Sequence, residues 1–353
     1  MIAAFRADAS LEIGGGHIAR SLYIARELRL RGHKIFFICR DFEFGGAVRV
    51  RSEGFEVFTL PFFEGGGKLR EKKLAHGEWL GVSAAQEIDD LNAVLREQNV
   101  DWLIFDSYAI DCEIESAARK FAKNIAVLDD LHDRVHDCDL LIDATLSRTI
   151  EDYRSLVSCE CEMVLGAQFL PLSSEYAALR ACAMPRSFEP RSILVSMGGV
   201  DRDDLTSAAL KAISKSRFSG ARINVVLGSA APNLEDRIRF AKSLRLNIKL
   251  HIDTREMAML ILRSDLAIGA MGVSAYERAS LGLCSIGVMA AENQRDNYNA
   301  LKDFGAIVAH NSIEESLKIL DENIFRNCEI AAFNITDGEG VKKICKRLEN
   351  GHK

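Results

Sequence analysis

The sequence predicts an α/β protein with two domains, each built on a parallel β-sheet that helices cover on both faces. Two observations support this prediction. The chain has 353 residues, which is more than a single hydrophobic core usually supports. Short, continuous apolar runs also alternate along the chain with segments of helical periodicity. This alternation is typical of parallel sheets whose strands are buried on both faces.

The first domain is expected over residues 1–170. Its first helix is expected over residues 17–31, where apolar residues recur at helical spacing and form a stripe on one face, with the arginines on the outer face. Apolar runs predict the strands of this domain at residues 1–5, 34–39, 102–106, 125–130 and 140–143.

The second domain is expected over residues 191–353, and its last helix could pack back on the first domain. Three of the five prolines fall within residues 171–190, which we interpret as the interdomain segment. Two such Rossmann-like domains are expected to face each other across a cleft, and their ligands bind beyond the carboxyl ends of the strands. Apolar runs predict the strands of the second domain at residues 192–196, 222–227, 247–252, 266–270, 285–288 and 306–309.

Composition excludes several functional classes. The formal charge is 45 − 51 = −6, and the acidic residues are dispersed, so we expect neither a nucleic acid nor a membrane as partner. No apolar run approaches the ~18 residues of a membrane span. Arg6 and Asp8 interrupt the apolar start too early for a signal peptide. The nine cysteines form no Cys-x-x-Cys pair, which predicts reduced thiols and a cytoplasmic location.

The first candidate site is a glycine run followed by a histidine, Gly14-Gly15-Gly16-His17, between the first predicted strand and helix. The N-terminal end of a helix favours a neutral imidazole, and a neutral imidazole can act as a general base. The glycines leave room for a substrate. We therefore interpret His17 as the candidate catalytic base, with Gly15 and Gly16 in the substrate site. The alternative is a turn that only lets the helix pack on the sheet.

The same glycine run also fits a dinucleotide-binding fingerprint, with Asp41 as the acid that would bind the ribose. In that fingerprint the glycines follow the strand directly, whereas here residues 6–13 intervene. Binding of a nicotinamide cofactor is therefore the weaker hypothesis.

Further polar residues follow strands of the first domain. Asp8, Asp106 and Tyr108 are candidates for the substrate site because they lie at or just beyond strand ends. His132 and His136 have the spacing of metal ligands on a helix, but no third ligand is evident, and we expect no metal site.

Two glycine turns of the second domain are candidates for binding a diphosphate. Gly198 and Gly199 follow one predicted strand, and a Gly-Gly turn offers backbone N–H groups to a phosphate. Gly272 and Ser274 lie between another strand and a helix, whose N-terminus can bind the same anion.

Three residues near the second turn are candidates for the rest of a nucleotide. Glu277 could accept both ribose hydroxyls, or it could form a capping box with Ser274. Asn293 and Gln294 lie just beyond a strand, where their amides could bind a sugar or a base edge. Alternatively, Asn293 could cap the following helix.

In combination, these motifs resemble the UDP-sugar hydrolases of pseudaminic acid biosynthesis, which act on UDP-2,4-diacetamido-2,4,6-trideoxy-β-L-altropyranose. The similarity spans nearly the whole chain in register. It rests on the segments RADASLEIGGGH, HGEWLGVSAAQEIDDL, DSY, LDDLHDRVHDCDLLID, LVSMGGVDRDDLT, DLAIGAMGVSAYERASLGL and AENQ.

The resemblance implies a GT-B architecture with UDP bound by the second domain and water attacking the anomeric carbon with inversion. It implies a small-molecule UDP-sugar as partner and no metal or other cofactor, and it leaves the oligomeric state open. A GT-B glycosyltransferase and a non-catalytic nucleotide-sugar-binding protein remain alternatives. By resemblance, the base is His17, the diphosphate site is Gly198, Gly199, Gly272 and Ser274, the ribose ligand is Glu277, and the contacts to uridine and sugar are Asn293 and Gln294.

Overall fold

A computed structural model of the chain divides into two units. The first comprises Met1–Pro171 together with Glu339–Lys353, and the second comprises Leu172–Gly338. The structure describes residues 1–62, 74–229 and 231–351. Each unit contains one sheet in which every strand pairing is parallel. The predicted fold class, two parallel-sheet Rossmann-like units, is confirmed.

The sheet of the first unit has seven strands in the order β3-β2-β1-β4-β5-β6-β7. Its strands are β1 Ile2–Ala7, β2 Lys34–Arg40, β3 Glu56–Leu60, β4 Val100–Asp106, β5 Ala122–Leu128, β6 Leu140–Asp143 and β7 Glu162–Leu165. With helices numbered along the whole chain, those of this unit are α1 Gly16–Leu30, α2 Ala47–Ser52, α3 Ala84–Leu95, α4 Cys112–Ala118, α5 Ile150–Tyr153 and α14 Gly340–Asn350.

The sheet of the second unit has five strands in the order β10-β9-β8-β11-β12. Its strands are β8 Ser192–Ser196, β9 Arg222–Leu227, β10 Asn247–Ile252, β11 Leu266–Ala270 and β12 Ser285–Val288. Its helices are α6 Ser174–Arg180, α7 Leu205–Ser214, α8 Leu234–Ser243, α9 Met257–Leu262, α10 Val273–Ser280, α11 Arg295–Asp303, α12 Ile313–Ile319 and α13 Glu322–Asn334.

Helix α1 buries the apolar stripe that the sequence predicts. The stripe joins a core cluster to which the last helix, α14, also contributes. The indole of Trp102 on β4 donates a hydrogen bond of 2.8 Å to the carbonyl of Leu348 on α14, so α14 is attached to the sheet as well as to α1. The side chains of the two helices in this cluster include Ile18, Leu22, Ala25 and Leu28 from α1 and Val341, Ile344 and Leu348 from α14.

The predicted strands differ from the observed ones at the sheet edges. Residues 306–309 form no strand: a single bridge joins Val308 to Ile286, and the chain then turns into α12, which Ser312 caps. Strands β3 and β7 are not predicted from the sequence. Both lie at an edge of the first sheet and consist mostly of exposed or half-buried residues, so neither has the continuous apolar run of a central strand.

A network of buried charges ties β1 and β2 to α3. The Glu87 carboxylate accepts a hydrogen bond of 2.6 Å from Arg6 Nε, and its other oxygen binds Arg40. Arg6 Nη1 lies 2.6 Å from Asp8 Oδ2, and Arg40 Nη2 lies 2.9 Å from Asp90 Oδ2. Burial would raise the pKa of Glu87, but the two arginines outweigh burial and lower it below its usual value. Glu87 is therefore an anion shared by two buried cations.

We expect Glu87→Gln to destabilise the first unit by about 3–5 kcal/mol, because removing one partner leaves buried charges uncompensated. Both tryptophans of the chain, Trp79 and Trp102, lie in this unit, so tryptophan fluorescence during urea unfolding reports its stability. The matched control is Glu151→Gln, which breaks an exposed pair with Arg154 and should cost less than about 1 kcal/mol. Equal unfolding midpoints for the two variants would contradict this assignment.

Candidate functional site

His17 lies in the first turn of α1 and is held by the end of a neighbouring strand. The helix begins at Gly16 with Gly15 as N-cap, and the preceding Gly14 has a positive φ of 75°. Strands β1 and β4 are paired, so the last residue of β4, Asp106, lies beside the start of α1. The imidazole Nδ1 of His17 is 2.6 Å from Asp106 Oδ1, and His17 is 6% exposed.

The Asp106 carboxylate determines which nitrogen of His17 carries the proton. Arg20 Nη2 lies 3.2 Å from Nδ1, but the carboxylate is closer and can only accept, so Nδ1 donates to it. The lone pair of the neutral ring is therefore on Nε2. Nε2 has no hydrogen-bond partner among the described residues, and it is not fully buried. This nitrogen can accept a proton from a bound molecule.

Asp106 is a fully buried anion with several donors. Besides His17, it accepts hydrogen bonds from Arg20 Nε and Nη2 and from the hydroxyl of Ser21. Burial would raise the pKa of Asp106, but the charge of Arg20 and the hydrogen bonds from His17 and Arg20 outweigh burial and lower it to about 2. Asp106 is therefore ionised at any pH near neutrality, which supports the role of a fixed acceptor for the imidazole.

Arg20 also belongs to this cluster, and the prediction that it lies on the outer face of α1 is wrong. It was expected on the outer face of α1 but is buried, and besides Asp106 it binds Asp130 at 3.0 Å. Its position three residues after His17 puts both side chains on the same helix face. The spacing was thus available in the sequence, but an arginine with buried carboxylate partners cannot be told from a solvated one without the fold.

Aromatic rings line one side of His17. The ring of Tyr108 lies edge-on to the imidazole with 4.6 Å between centroids, and Trp79 stacks on Tyr108 at 5.8 Å. Burial and the nearby Asp130 raise the pKa of Tyr108 well above its usual value, so its hydroxyl stays protonated. His76 packs against Trp79 at 4.4 Å, and burial lowers its pKa. Trp79 and His76 are not among the candidates from the sequence, although both lie in the segment HGEWLGVSAAQEIDDL, which contributes to the resemblance.

The glycines beside His17 leave open space, whereas Asp8 does not face it. A Cβ added at Gly16 would meet no atom within 4 Å, and one at Gly15 would meet only the end of Arg49, at 4.0 Å. Both oxygens of Asp8 are engaged elsewhere, by the backbone N–H of Arg40 at 2.7 Å and by Arg6. The structure thus brings together His17, Asp106 and Tyr108 with the glycines and places Asp8 in the buried charge network.

In the second unit, the turn after β8 is open on one side and packs against Gly228 on the other. Gly198 has a positive φ of 88°, and a Cβ at Gly198 or Gly199 would meet nothing within 4 Å. Gly228 packs so closely against this turn that a Cβ at Gly228 would lie 1.9 Å from the Gly199 carbonyl oxygen. Asp201 accepts hydrogen bonds from the first N–H groups of α7 and pairs with Arg237 at 2.9 Å. The turn thus exposes its backbone to a ligand.

The turn between β11 and α10 has a helix N-terminus without a side-chain cap. Gly272 is the N-cap, and it has no side chain that could accept a hydrogen bond from the first N–H groups of the helix. The capping-box alternative for Ser274 and Glu277 is therefore wrong, because Ser274 lies inside the first turn. Glu277 follows one turn later and is half-buried. The free N–H groups and the helix dipole make this turn suitable for an anion.

Gln294 joins this turn to the next strand end. Its side-chain oxygen accepts hydrogen bonds from the N–H groups of Met271 at 3.1 Å and Ala290 at 3.2 Å. Its amide nitrogen would lie 3.7 Å from a Cβ at Gly272. Asn293 is exposed in the adjacent 3₁₀ turn and does not cap α11, so the capping alternative for it is wrong. Gln294 thus supports the geometry of the Gly272 turn.

The histidines with metal-ligand spacing have other partners. His136 Nδ1 lies 2.8 Å from Glu115 Oε1. Burial would lower the pKa of His136, but the nearby carboxylates of Asp129 and Glu115 raise it to about 9, so it is a cation at neutral pH. Within residues 1–62, 74–229 and 231–351, no group of three histidine, cysteine or acidic side chains could hold a metal ion. In the same ranges, no helix combines the length and apolar character needed to cross a bilayer.

Comparison with known proteins finds distant relatives, among them a UDP-sugar hydrolase and a polysaccharide biosynthesis protein. No protein-family model matches the chain. The chain is 25% identical over 262 residues to the UDP-2,4-diacetamido-2,4,6-trideoxy-β-L-altropyranose hydrolase of Campylobacter jejuni, covering 74% of this chain and 81% of that one. It is 24% identical over 306 residues to the spore coat polysaccharide biosynthesis protein SpsG of Bacillus subtilis, covering 85% and 80% of the two chains.

The solved structures show the fold. The calicheamicin glycosyltransferase CalG4 matches with a TM-score of 0.65 at 13% identity, covering 99% of this chain and 98% of that chain. The two Rossmann-like units of this protein thus have the fold of GT-B glycosyltransferases.

We expect Asp106→Asn to move the imidazole proton of His17. In the unmodified protein, neutral His17 should be protonated at Nδ1, because Asp106 only accepts. An asparagine amide can donate to Nδ1 and would favour the tautomer protonated at Nε2. Long-range ¹H–¹⁵N correlation spectra of the imidazoles, with His17→Asn used for assignment, measure this directly. Ser21→Ala is the control, since Ser21 binds Asp106 without touching His17. The same tautomer in Asp106→Asn and the unmodified protein would contradict the assignment.

Proposed function

We propose that this chain is a UDP-sugar hydrolase that releases UDP from UDP-2,4-diacetamido-2,4,6-trideoxy-β-L-altropyranose by attack of water at the anomeric carbon. The observation that supports this most directly is the pair formed by His17 and Asp106 beside two open glycines. In this proposal a water binds at Nε2, the ring nitrogen of His17 that does not contact Asp106. The distant similarity to the Campylobacter jejuni hydrolase supports the choice of substrate.

In this mechanism, the first unit supplies the base. Asp106 keeps the proton on Nδ1 of His17, and Nε2 removes a proton from water as its oxygen attacks the anomeric carbon. The imidazolium that forms is stabilised by Asp106, which stays ionised. Base catalysis of this kind contributes roughly 10²–10⁴-fold to a rate. The neutral hydroxyl of Tyr108, bound to Asp130, is a polar group at the edge of this site.

The second unit binds the leaving group. Negative charge develops on the β-phosphate as the bond from the anomeric carbon to oxygen breaks. The uncapped N-terminus of α10 and the open Gly198-Gly199 turn offer N–H groups that stabilise this charge. UDP then needs no proton to leave. Attack on the face opposite UDP inverts the anomeric configuration, as in inverting glycosidases.

A glycosyltransferase is the second candidate function, because the fold likeness to the calicheamicin glycosyltransferase favours transfer of a sugar to an acceptor. Incubation with the UDP-sugar alone in ¹⁸O-water separates the candidates. A hydrolase releases UDP without an acceptor and places ¹⁸O on the sugar rather than on the phosphate, which NMR detects. Consumption only after an acceptor is added would favour the transferase, and binding without consumption would favour a nucleotide-sugar-binding protein.

We expect His17→Asn to lower turnover by roughly 10²–10⁴-fold, because the base is lost. UDP affinity, measured by calorimetry, should be unchanged, since UDP is assigned to the other unit. His310→Asn is the matched control: this histidine is exposed and pairs with Glu315, and its loss should leave turnover unchanged. Turnover of His17→Asn equal to that of the unmodified protein would remove His17 from the mechanism.

We expect Glu277→Gln to weaken UDP binding by roughly 10–100-fold, the effect of losing a charge-assisted hydrogen bond to the ribose. The rate with saturating substrate should fall less than the affinity. Asp236→Asn is the control, because this exposed carboxylate of the same unit pairs with Arg239 on the helix surface. Calorimetry that gives the same UDP affinity for Glu277→Gln and the unmodified protein would exclude Glu277 as a ribose ligand.

A further inference from the structure

Arg278 is a fully buried cation directly beneath the β11–α10 turn. Its Nη2 donates a hydrogen bond of 2.8 Å to the carbonyl oxygen of Ala270, and its Nε lies 3.2 Å from the hydroxyl of Ser285. Its Nη1 lies 3.4 Å from the hydroxyl of Ser274. A Cβ at Gly269 would lie only 2.7 Å from Nη1, so the glycine at the end of β11 leaves the space that the guanidinium occupies.

Arg278 differs from the other buried arginines because it forms no ion pair with a carboxylate within 4.0 Å in the described part of the chain. In the described part of the chain, every other buried arginine has a carboxylate oxygen within 4.0 Å, whereas Arg278 contacts only neutral oxygens. Burying a cation without a counterion is costly. The ion pairs of the others join Arg6 to Asp8 and Glu87, Arg20 to Asp106, Arg40 to Glu87, Arg134 to Asp129, Arg186 to Glu329 and Arg237 to Asp201.

The surroundings of Arg278 add positive potential. The N-terminal N–H groups of α10 at Gly272 have no side-chain cap, and the helix dipole places a further partial positive charge at the same turn. The titratable groups that act on Arg278 are Glu277 on its own helix and Tyr176 on α6. Burial lowers the pKa of Arg278 to about 10, so it remains charged near neutral pH. An anion at the turn would complete the charge balance.

We propose that Arg278 is a positioning residue for the diphosphate: its buried charge compensates the anion, and its guanidinium fixes the Ala270 carbonyl and the Ser274 hydroxyl of the turn that binds it. This rests on the proposed function, in which the turn holds the diphosphate of UDP. Arg278 does not itself touch the ligand. It acts through the turn above it and through its buried charge.

Calorimetry with UDP and with uridine separates this role from a purely structural one. Arg278→Met removes the charge and keeps an apolar side chain. It should weaken UDP binding by about tenfold or more while leaving uridine binding unchanged, because only UDP carries the anion. Arg263→Met, at an exposed position of the same unit, is the matched control for loss of one positive charge and should leave both affinities unchanged.

Arg278→Lys gives a second, independent readout. A buried lysine loses its proton at a lower pH than an arginine does, so its UDP affinity should fall as the pH rises from about 7 to about 9, whereas that of the unmodified protein stays constant. A merely structural arginine would produce no such difference.

The outcomes are distinct. Three results would overturn this inference and leave the proposed function intact. Arg278→Met could lose UDP and uridine binding equally, or it could bind UDP as the unmodified protein does. The UDP affinity of Arg278→Lys could also prove independent of pH. Absence of UDP binding by the unmodified protein overturns both.

Discussion

The carboxylate of Asp106 is the interaction on which the candidate site depends. It ends β4 in full burial and accepts hydrogen bonds from His17, Arg20 and Ser21, all on α1. Because these donors share one acceptor, the rotation of α1 about its axis and the orientation of the imidazole are fixed together. A rotated helix would leave a buried anion without partners, which is strongly unfavourable. The reactive geometry of His17 is therefore a consequence of how the helix packs on the sheet.

The candidate sites of the two units use different electrostatics. In the first, negative charges are buried and neutralised by arginines, as in the Glu87 network and at Asp106. In the second, the β11–α10 turn combines a helix N-terminus with a buried arginine that has only neutral partners. The first arrangement fixes the orientation of the His17 imidazole through Asp106, and the second leaves positive potential for an anion. This difference matches the division between base and nucleotide site in the proposed function.

The sequence predicts much of this fold, because central strands buried on both faces are continuous apolar runs. Five predicted strands of the second unit agree with the observed bounds from Ser192–Ser196 to Ser285–Val288. Edge strands β3 and β7 are not predicted, because most of their residues are exposed or half-buried and they lack a continuous apolar run. His17, Asp106 and Tyr108 were found from their positions at element ends. The contact between His17 and Asp106 is not predicted, because these residues are 89 positions apart in the sequence and the pairing of β1 with β4 brings them together. Arg20 and Arg278 look like ordinary solvated helix residues until their partners are known.

The discontinuity of the first unit has a consequence for synthesis on the ribosome. Its last helix, α14, follows the whole second unit in the chain, yet Val341, Ile344 and Leu348 belong to the same apolar cluster as α1. Until residues 340–350 have emerged from the exit tunnel, the nascent first unit exposes the apolar surface that α14 later covers. A chain truncated before α14 would leave that surface uncovered, so the core of the first unit is completed only after the whole second unit has been synthesised.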